Sequence, residues 1–271
     1  MSSEKKIEID LVYMPVVNFA MQQNHVPVLR KLVIKNLVGE TLEKLSVDIV
    51  TEPDFALSAS VKIESIAAGE SLDVNNISIN LSPKYLSEVT EKIAGHFKLA
   101  VKAKDEELYK ETHDISILAF DQWYGIQVLP EMLSAFITPN HPEVSKMLKR
   151  ASSILEKWTG NPSFDEYQTQ NPDRVKKQMA AIFEAIAEMK LVYCSVPASF
   201  EQGGQRIRMV DTIATQQMAN CLDLSLFYAS CLEAAGINPL IIIIKGHAFA
   251  GAWLVKDSFA DSVNDDISLL T

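Results

Sequence analysis

Cys221 and His247 are the two residues whose types and spacing point to chemistry. Cys221 opens the run Cys-Leu-Asp-Leu-Ser-Leu-Phe-Tyr-Ala-Ser-Cys, and His247 follows 26 positions later in Gly-His-Ala-Phe. A thiol is nucleophilic as its thiolate, and the start of a helix favours that anion through free N–H groups and the helix dipole. The pattern places Cys221 at such a start. A neighbouring imidazole lowers the thiol pKa further and later returns the proton as a general acid. A carboxylate on a following strand would orient the ring. If a hairpin is centred between Lys256 and Asp257, the residue facing His247 is Asp266, so Asp265 and Asp266 are the candidates. Asp261 fits a shorter connection with another register. The Cys221 N–H is the natural first donor to a tetrahedral oxyanion. Gln216 or Gln217, just upstream, is a candidate second donor, set against the plainer reading of both as helix-surface residues.

The other reactive residue types read as structural. Cys231 lies on the apolar stripe of its helix, and Cys194 sits in a short apolar strand. No paired C-x2–4-C spacing accompanies them, so neither a metal nor a cofactor is implied. Asp223 is expected to face solvent or to support the site from behind, and Arg206 and Arg208 to share an exposed strand face. Gly203-Gly204 reads as a flexible loop bordering the cleft, without the strand and helix of a phosphate-binding loop.

The elements that must hold these residues follow from periodicity. A helix over 221–235 stops at Gly236, a β-branched strand over 240–244 follows, and a second strand covers 247–255. A return strand ending near Asp265 and Asp266 would complete the set. Upstream, Asn140-His-Pro opens a helix with Val144, Leu148, Ala151, Leu155 and Trp158 on one face, closed by Gly160. Asn171 caps a second helix whose stripe runs from Val175 to Met189. Asp211 is the expected cap of a short helix over 212–218, and 191–196 reads as a strand. Before residue 120 the texture is different. Short strands at 7–13, 26–36, 45–50, 61–66, 72–81, 97–103 and 107–118 are separated by polar turns, with a helix over 85–93. Seven such strands suggest an immunoglobulin-type β-sandwich.

A length of 271 residues suits two domains, an all-β domain over 1–119 and an α+β domain over 120–271. The net charge of −10 is shared equally by the two parts, which argues against direct nucleic-acid binding. The polar start Met-Ser-Ser-Glu-Lys-Lys is unlike a secretory signal, and the longest apolar run, 239–244, is far too short to span a bilayer. Three cysteines do not form a disulfide framework. A cytoplasmic, reduced protein without membrane contact is expected.

The stretch from Cys221 to Pro239, then an apolar strand and Gly-His-Ala-Phe, resembles a transglutaminase-like core of the papain-like superfamily. Val-Pro-Val-Leu-Arg (26–30), Thr-Pro-Asn-His-Pro (138–142), Pro-Ala-Ser-Phe-Glu (197–201) and Cys-Leu-Asp-Leu (221–224) extend the likeness over most of the chain. They are similar to the N-terminal region of large bacterial proteins of unknown function that pair a β-sandwich with a transglutaminase-like domain. Many of those proteins carry helicase and nuclease regions further along. The resemblance implies a Cys–His–Asp triad with Cys221 as nucleophile and His247 as acid and base, the Asp being assigned by order. It implies thiol-dependent acyl transfer or hydrolysis on a peptide or side-chain amide. The alternative is an inactive binding or regulatory module serving attached C-terminal domains of a longer chain. Ala219 stands where these families often have Gly, and the chain stops at Thr271, where a complete core continues with more strands.

Overall fold

The computed structural model of the chain describes residues 5–104, 106–195 and 203–270. It is an α+β structure that divides into two compact units, Met1–Phe120 and Asp121–Thr271.

The first unit contains strands β1 (Ile7–Tyr13), β2 (Val16–Val17), β3 (Leu29–Asn36), β4 (Leu42–Glu52), β5 (Ala56–Leu57), β6 (Ala59–Ile66), β7 (Ser71–Asp73), β8 (Asn80–Leu81), β9 (Ile93–Ala103) and β10 (Glu106–Ile117). Two short helices join them, α1 (Phe19–Gln23) and α2 (Pro83–Glu88). One sheet has the order β2-β10-β9-β4-β6, another β1-β3-β7, and β5 pairs with β8. The alternation read from the sequence sets the faces. Leu45, Val47 and Ile49 of β4 are buried, and Val47 and Ile49 lie opposite the buried Val101 and Leu99 of β9. The expected strand over 72–81 is instead two short strands, β7 and β8. The helix expected over 85–93 begins earlier, because Pro83 starts it and the Ser82 hydroxyl accepts the Tyr85 N–H at 3.3 Å. Helix α1 was not expected. Its signal is Asn18, whose carbonyl caps the Met21 N–H at 2.8 Å.

The second unit packs three long helices, α3 (Pro142–Thr159), α4 (Pro172–Ala187) and α6 (Cys221–Ala234), with a short one, α5 (Val210–Gln216). Its strands are β11 (Gln122–Trp123), β12 (Val192–Tyr193), β13 (Gln205–Arg206), β14 (Met218–Ala219), β15 (Pro239–Ile244) and β16 (His247–Ala252). Strands β11 and β13 pair antiparallel, β12 and β14 parallel, and β15 and β16 form a hairpin. The helix ends follow their local chemistry. His141 Nδ1 accepts the Glu143 N–H, Asn171 Oδ1 accepts the Asp173 N–H, and Gly160 closes α3 in the left-handed conformation. The expected Asp211 cap is corrected. Helix α5 starts two residues earlier, after an extended Met209, so Asp211 lies in its first turn.

Helix α6 is the centre of this unit. It is buried on most sides, with Leu222, Leu226, Phe227, Ala229, Cys231 and Leu232 all enclosed. Val144, Ala151, Ile154 and Leu155 of α3 and Val175, Ala181, Ile182 and Ala185 of α4 share its core. A chain reversal then ends it. Gly236 takes φ 74°, its N–H bonds to the Glu233 carbonyl at 2.9 Å, and the Ile237 N–H bonds to Leu232 at 2.9 Å. Strand β15 therefore runs back along the helix. Among the described residues no helix is long and apolar enough to cross a membrane.

The segment before α4 is pinned by one polar cluster. Arg174 Nε donates to Asp165 at 3.0 Å, Arg174 Nη1 to Thr159 at 3.1 Å, and Gln178 Nε2 to Asp165 at 2.7 Å. Asp165→Ala leaves a nearly buried guanidinium and a buried amide without their acceptor. Urea unfolding should show a loss of about 2–3 kcal/mol, the range for stranding buried partners of a removed charge.

Candidate functional site

The start of α6 is built by a capping box. Asn220 is extended, and its side-chain oxygen accepts the Asp223 N–H at 2.9 Å. Asp223 Oδ2 accepts the Asn220 N–H in return at 3.0 Å. Asp223 is fully buried and is held twice more, by the Arg208 N–H at 2.9 Å and by Arg208 Nη1 at 3.1 Å. Of the two readings of Asp223, the solvent-facing one is thus corrected, and the supporting one, from behind the helix start, holds. The shared exposed face for Arg206 and Arg208 is corrected too. Arg208 turns inward to Asp223, and Arg206 pairs with Asp121, Nη2 to Oδ2 at 2.9 Å. A carboxylate at the positive end of a helix, neutralised by a guanidinium, gains from both partners.

Strand β13, which leads to Arg208, is set by Gly204. That residue has φ 81°, and a Cβ there would lie 2.4 Å from the Trp123 carbonyl oxygen. Gly204 therefore lets β13 lie close to β11, which makes it a packing residue as much as a loop residue. Gly203 stands in open space. The Pro-Ala-Ser-Phe-Glu stretch at 197–201 lies outside the described residues.

Cys221 is the first residue of α6, half-buried and a free thiol. The cap occupies the Asp223 N–H, which leaves the Cys221 N–H for another partner. Tyr193 lies nearby. The parallel pairing of β12 with β14 sets Tyr193 beside Ala219, two residues before the cysteine. The Val192 N–H bonds to the Gln217 carbonyl at 2.9 Å and the Cys194 N–H to Ala219 at 2.8 Å. The Tyr193 side chain neighbours Cys221. Desolvation and the adjacent sulfur raise the phenol pKa above its ordinary value.

Helix α6 and strand β15 are of matching length. Fourteen helical residues at about 1.5 Å span roughly 21 Å, and six strand residues at about 3.3 Å span roughly 20 Å. At the far end of β15 the chain turns back. There Ile244 pairs with His247 around Gly246, which has φ 71°. Ala248 is buried and Ala252 packs on the helical core, so alternation turns His247 and Phe249 to the other, exposed face. The two rings stack with centroids 6.4 Å apart. Among the described residues, no hydrogen bond joins His247 to Cys221 or to a carboxylate.

The remaining candidates fall elsewhere. The return strand after β16 is absent among the described residues. The Trp253 N–H bonds to the Asn238 carbonyl at 3.1 Å, and the Asn238 side chain takes the Asp257 carbonyl at 2.7 Å. The chain leaving β16 is thereby folded over the α6–β15 turn instead of pairing along β16. Asp265 and Asp266 lie exposed in irregular backbone, so the register that placed Asp266 opposite His247 is corrected. Asp266 accepts the Ser268 N–H at 2.9 Å and its hydroxyl at 2.7 Å, bonds that hold its carboxyl below the usual range. Gln216 and Gln217 are both exposed, and Gln217 Nε2 is turned back onto the Ala214 carbonyl at 2.6 Å.

Cys231 is fully buried, which pushes its thiol up to about 12. Cys194 is half-buried with Arg208 Nη2 at 4.0 Å from its sulfur. Among the described residues no three His, Cys, Asp or Glu side chains gather as metal ligands. Tyr193 is the residue that sequence reasoning missed. A tyrosine in a two-residue strand carries no local signal, and only the pairing with β14 brings it to the cysteine.

Asp223→Ala removes one half of the capping box and leaves Arg208 without its carboxylate. The expected loss is about 3 kcal/mol in a urea unfolding experiment, from a lost cap together with a stranded guanidinium. Arg208→Ala should cost a similar amount, and the double variant less than the sum. No protein-family model matches the chain, and none of the curated proteins is significantly similar to it.

Proposed function

We propose that the second unit is a transglutaminase-like, papain-type cysteine domain acting by thiol-dependent acyl transfer or hydrolysis on a peptide or side-chain amide. The first unit, in the same reading, is an immunoglobulin-like sandwich. One observation carries the proposal. Cys221 is half-buried at the first position of a firmly capped helix followed by a hairpin whose second strand begins at His247. The electrostatics of that position suit a thiolate.

The chemistry follows from the roles. His247 takes the thiol proton, and the Cys221 sulfur bonds to the amide carbonyl carbon. The Cys221 N–H stabilises the oxyanion. As the C–N bond breaks, His247 returns its proton to the leaving amine. A thioester remains, and water or an amine resolves it to an acid or a new amide. The residues call for no cofactor, and the substrate is a protein or peptide.

The ring of His247 stacks on Phe249 and makes no bond to Cys221, which favours a second reading, a binding or regulatory module without turnover. Alkylation by iodoacetamide, resolved by mass spectrometry at each cysteine across pH 5–10, separates the two. Catalysis requires Cys221 to react well below the pH at which an ordinary thiol ionises, near 8.5, and to lose that advantage in His247→Ala. Cys231 should stay silent until near pH 12 or unfolding. A Cys221 profile like that of an ordinary thiol, unchanged in His247→Ala, would leave the binding module as the function.

A further inference from the structure

At the end of α6 away from Cys221 lies a cavity of about 350 Å³, within the range of small-molecule pockets. The fourteen residues of the helix put about 20 Å between it and the thiol, so a molecule bound there serves another purpose. Glu166, Tyr167, Val175, Leu254, Val255 and Lys256 line it. We infer that this cavity binds a small zwitterion with an apolar side chain, an aliphatic α-amino acid, with its ammonium on Glu166 and its carboxylate on Lys256.

Glu166 is the anionic pole. Its backbone is left-handed, with φ 49°, a conformation that a residue other than glycine keeps only where its surroundings fix it. Its side chain rests on Gly236, where an added Cβ would stand 2.2 Å from the carboxyl carbon and 2.3 Å from Oε1. The carboxylate is thereby held at the C-terminal end of α6, the negative end of the helix dipole. A carboxylate beside that end is disfavoured by itself, and a cation between the two gains from both. Glu166 is half-buried, and among the described residues its carboxylate has no ion-pair or hydrogen-bond partner. The Lys256 ammonium has none either. Charges of both signs thus border one cavity without pairing with each other. A ligand that carries both signs answers both, and a ligand with one sign leaves the other charge unmatched.

The walls between the poles are fixed and largely apolar. The Tyr167 hydroxyl accepts the Asn238 N–H at 2.9 Å and donates to the Trp253 carbonyl at 3.0 Å. Those two bonds tie the loop carrying Glu166 to the segment carrying Lys256. Val175 belongs to the core of the unit, and Leu254 packs against that core. Together with Val255 they offer an aliphatic side chain a surface that neither charged pole provides.

Leucine is the probe, titrated calorimetrically into the full chain. Three relatives each lack one part of it: leucinamide the carboxylate, 4-methylpentanoate the ammonium, and glycine the side chain. The expected result is one leucine bound per chain at micromolar to millimolar concentration, and each relative weaker by about tenfold or more, the scale of one charge-assisted contact or one buried aliphatic group. Two variants locate the poles. Glu166→Gln should weaken leucine by about tenfold and bring it close to 4-methylpentanoate. Lys256→Met should weaken it as much and bring it close to leucinamide. Melting temperatures equal to that of the unmodified chain show that both variants fold. Absence of leucine binding to the unmodified chain at millimolar concentration overturns the inference without any variant. Leucinamide bound as tightly as leucine reveals a simple cation site and overturns the zwitterion. Unchanged leucine affinity in either variant overturns the assigned poles. None of these readouts involves the thiol, so they hold whether or not Cys221 proves reactive.

Discussion

The buried carboxylate of Asp223 is the interaction on which the arrangement of the second unit depends. A charge with no exposure to water persists only where donors replace its hydration. Here three do so: the Asn220 N–H, the Arg208 N–H and the Arg208 guanidinium. The same carboxylate thus closes the cap of α6 and draws in the segment after β13. Because its own helix supplies one donor and a distant segment supplies two, the helix start and that segment can only be in place together. Cys221 inherits its position from this joint, one residue past the cap.

A second constraint is the enclosure of α6. A helix apolar on most sides cannot lie on a surface. It takes α3 and α4 as neighbours and the β15–β16 hairpin as another. Small residues on β16, Ala248 among them, allow the helix to come close. The first strand of the hairpin matches the helix in length. The half-exposed face around Tyr193 is the complement. It is held by two backbone bonds and leaves its side chain room to move.

Local signals in the sequence translated into structure with few changes. His141-Pro142, Asn171-Pro172, Gly160 and Gly236 each act through their own backbone neighbours, and each ends or begins a helix where their chemistry demands. The alternation of β4 and β9 carried their buried faces in the same way. Errors arose where a residue depends on partners far along the chain. Asp223 and Arg208 look like ordinary surface charges until β13 brings them together. The expected return strand failed for a related reason. Asn238, close in space but 19 positions away, captures the Asp257 carbonyl that a hairpin there would have had to turn.

The sequence by itself determined the helices, most of the strands, the burial of Cys231 and the place of Cys221 at the start of a helix. Periodicity, caps and the intrinsic preferences of Gly and Pro are short-range, so they are readable in order along the chain. Only the tertiary structure decided what surrounds that cysteine. The parallel pairing of β12 with β14 joins segments separated by a stretch of varied texture, and no periodicity encodes which short strands will meet. That pairing, and not any motif, sets Tyr193 beside Ala219, two residues before Cys221. Register between distant strands is settled by the summed packing and hydrogen bonding of the whole unit, which is why it becomes visible only once the unit has folded.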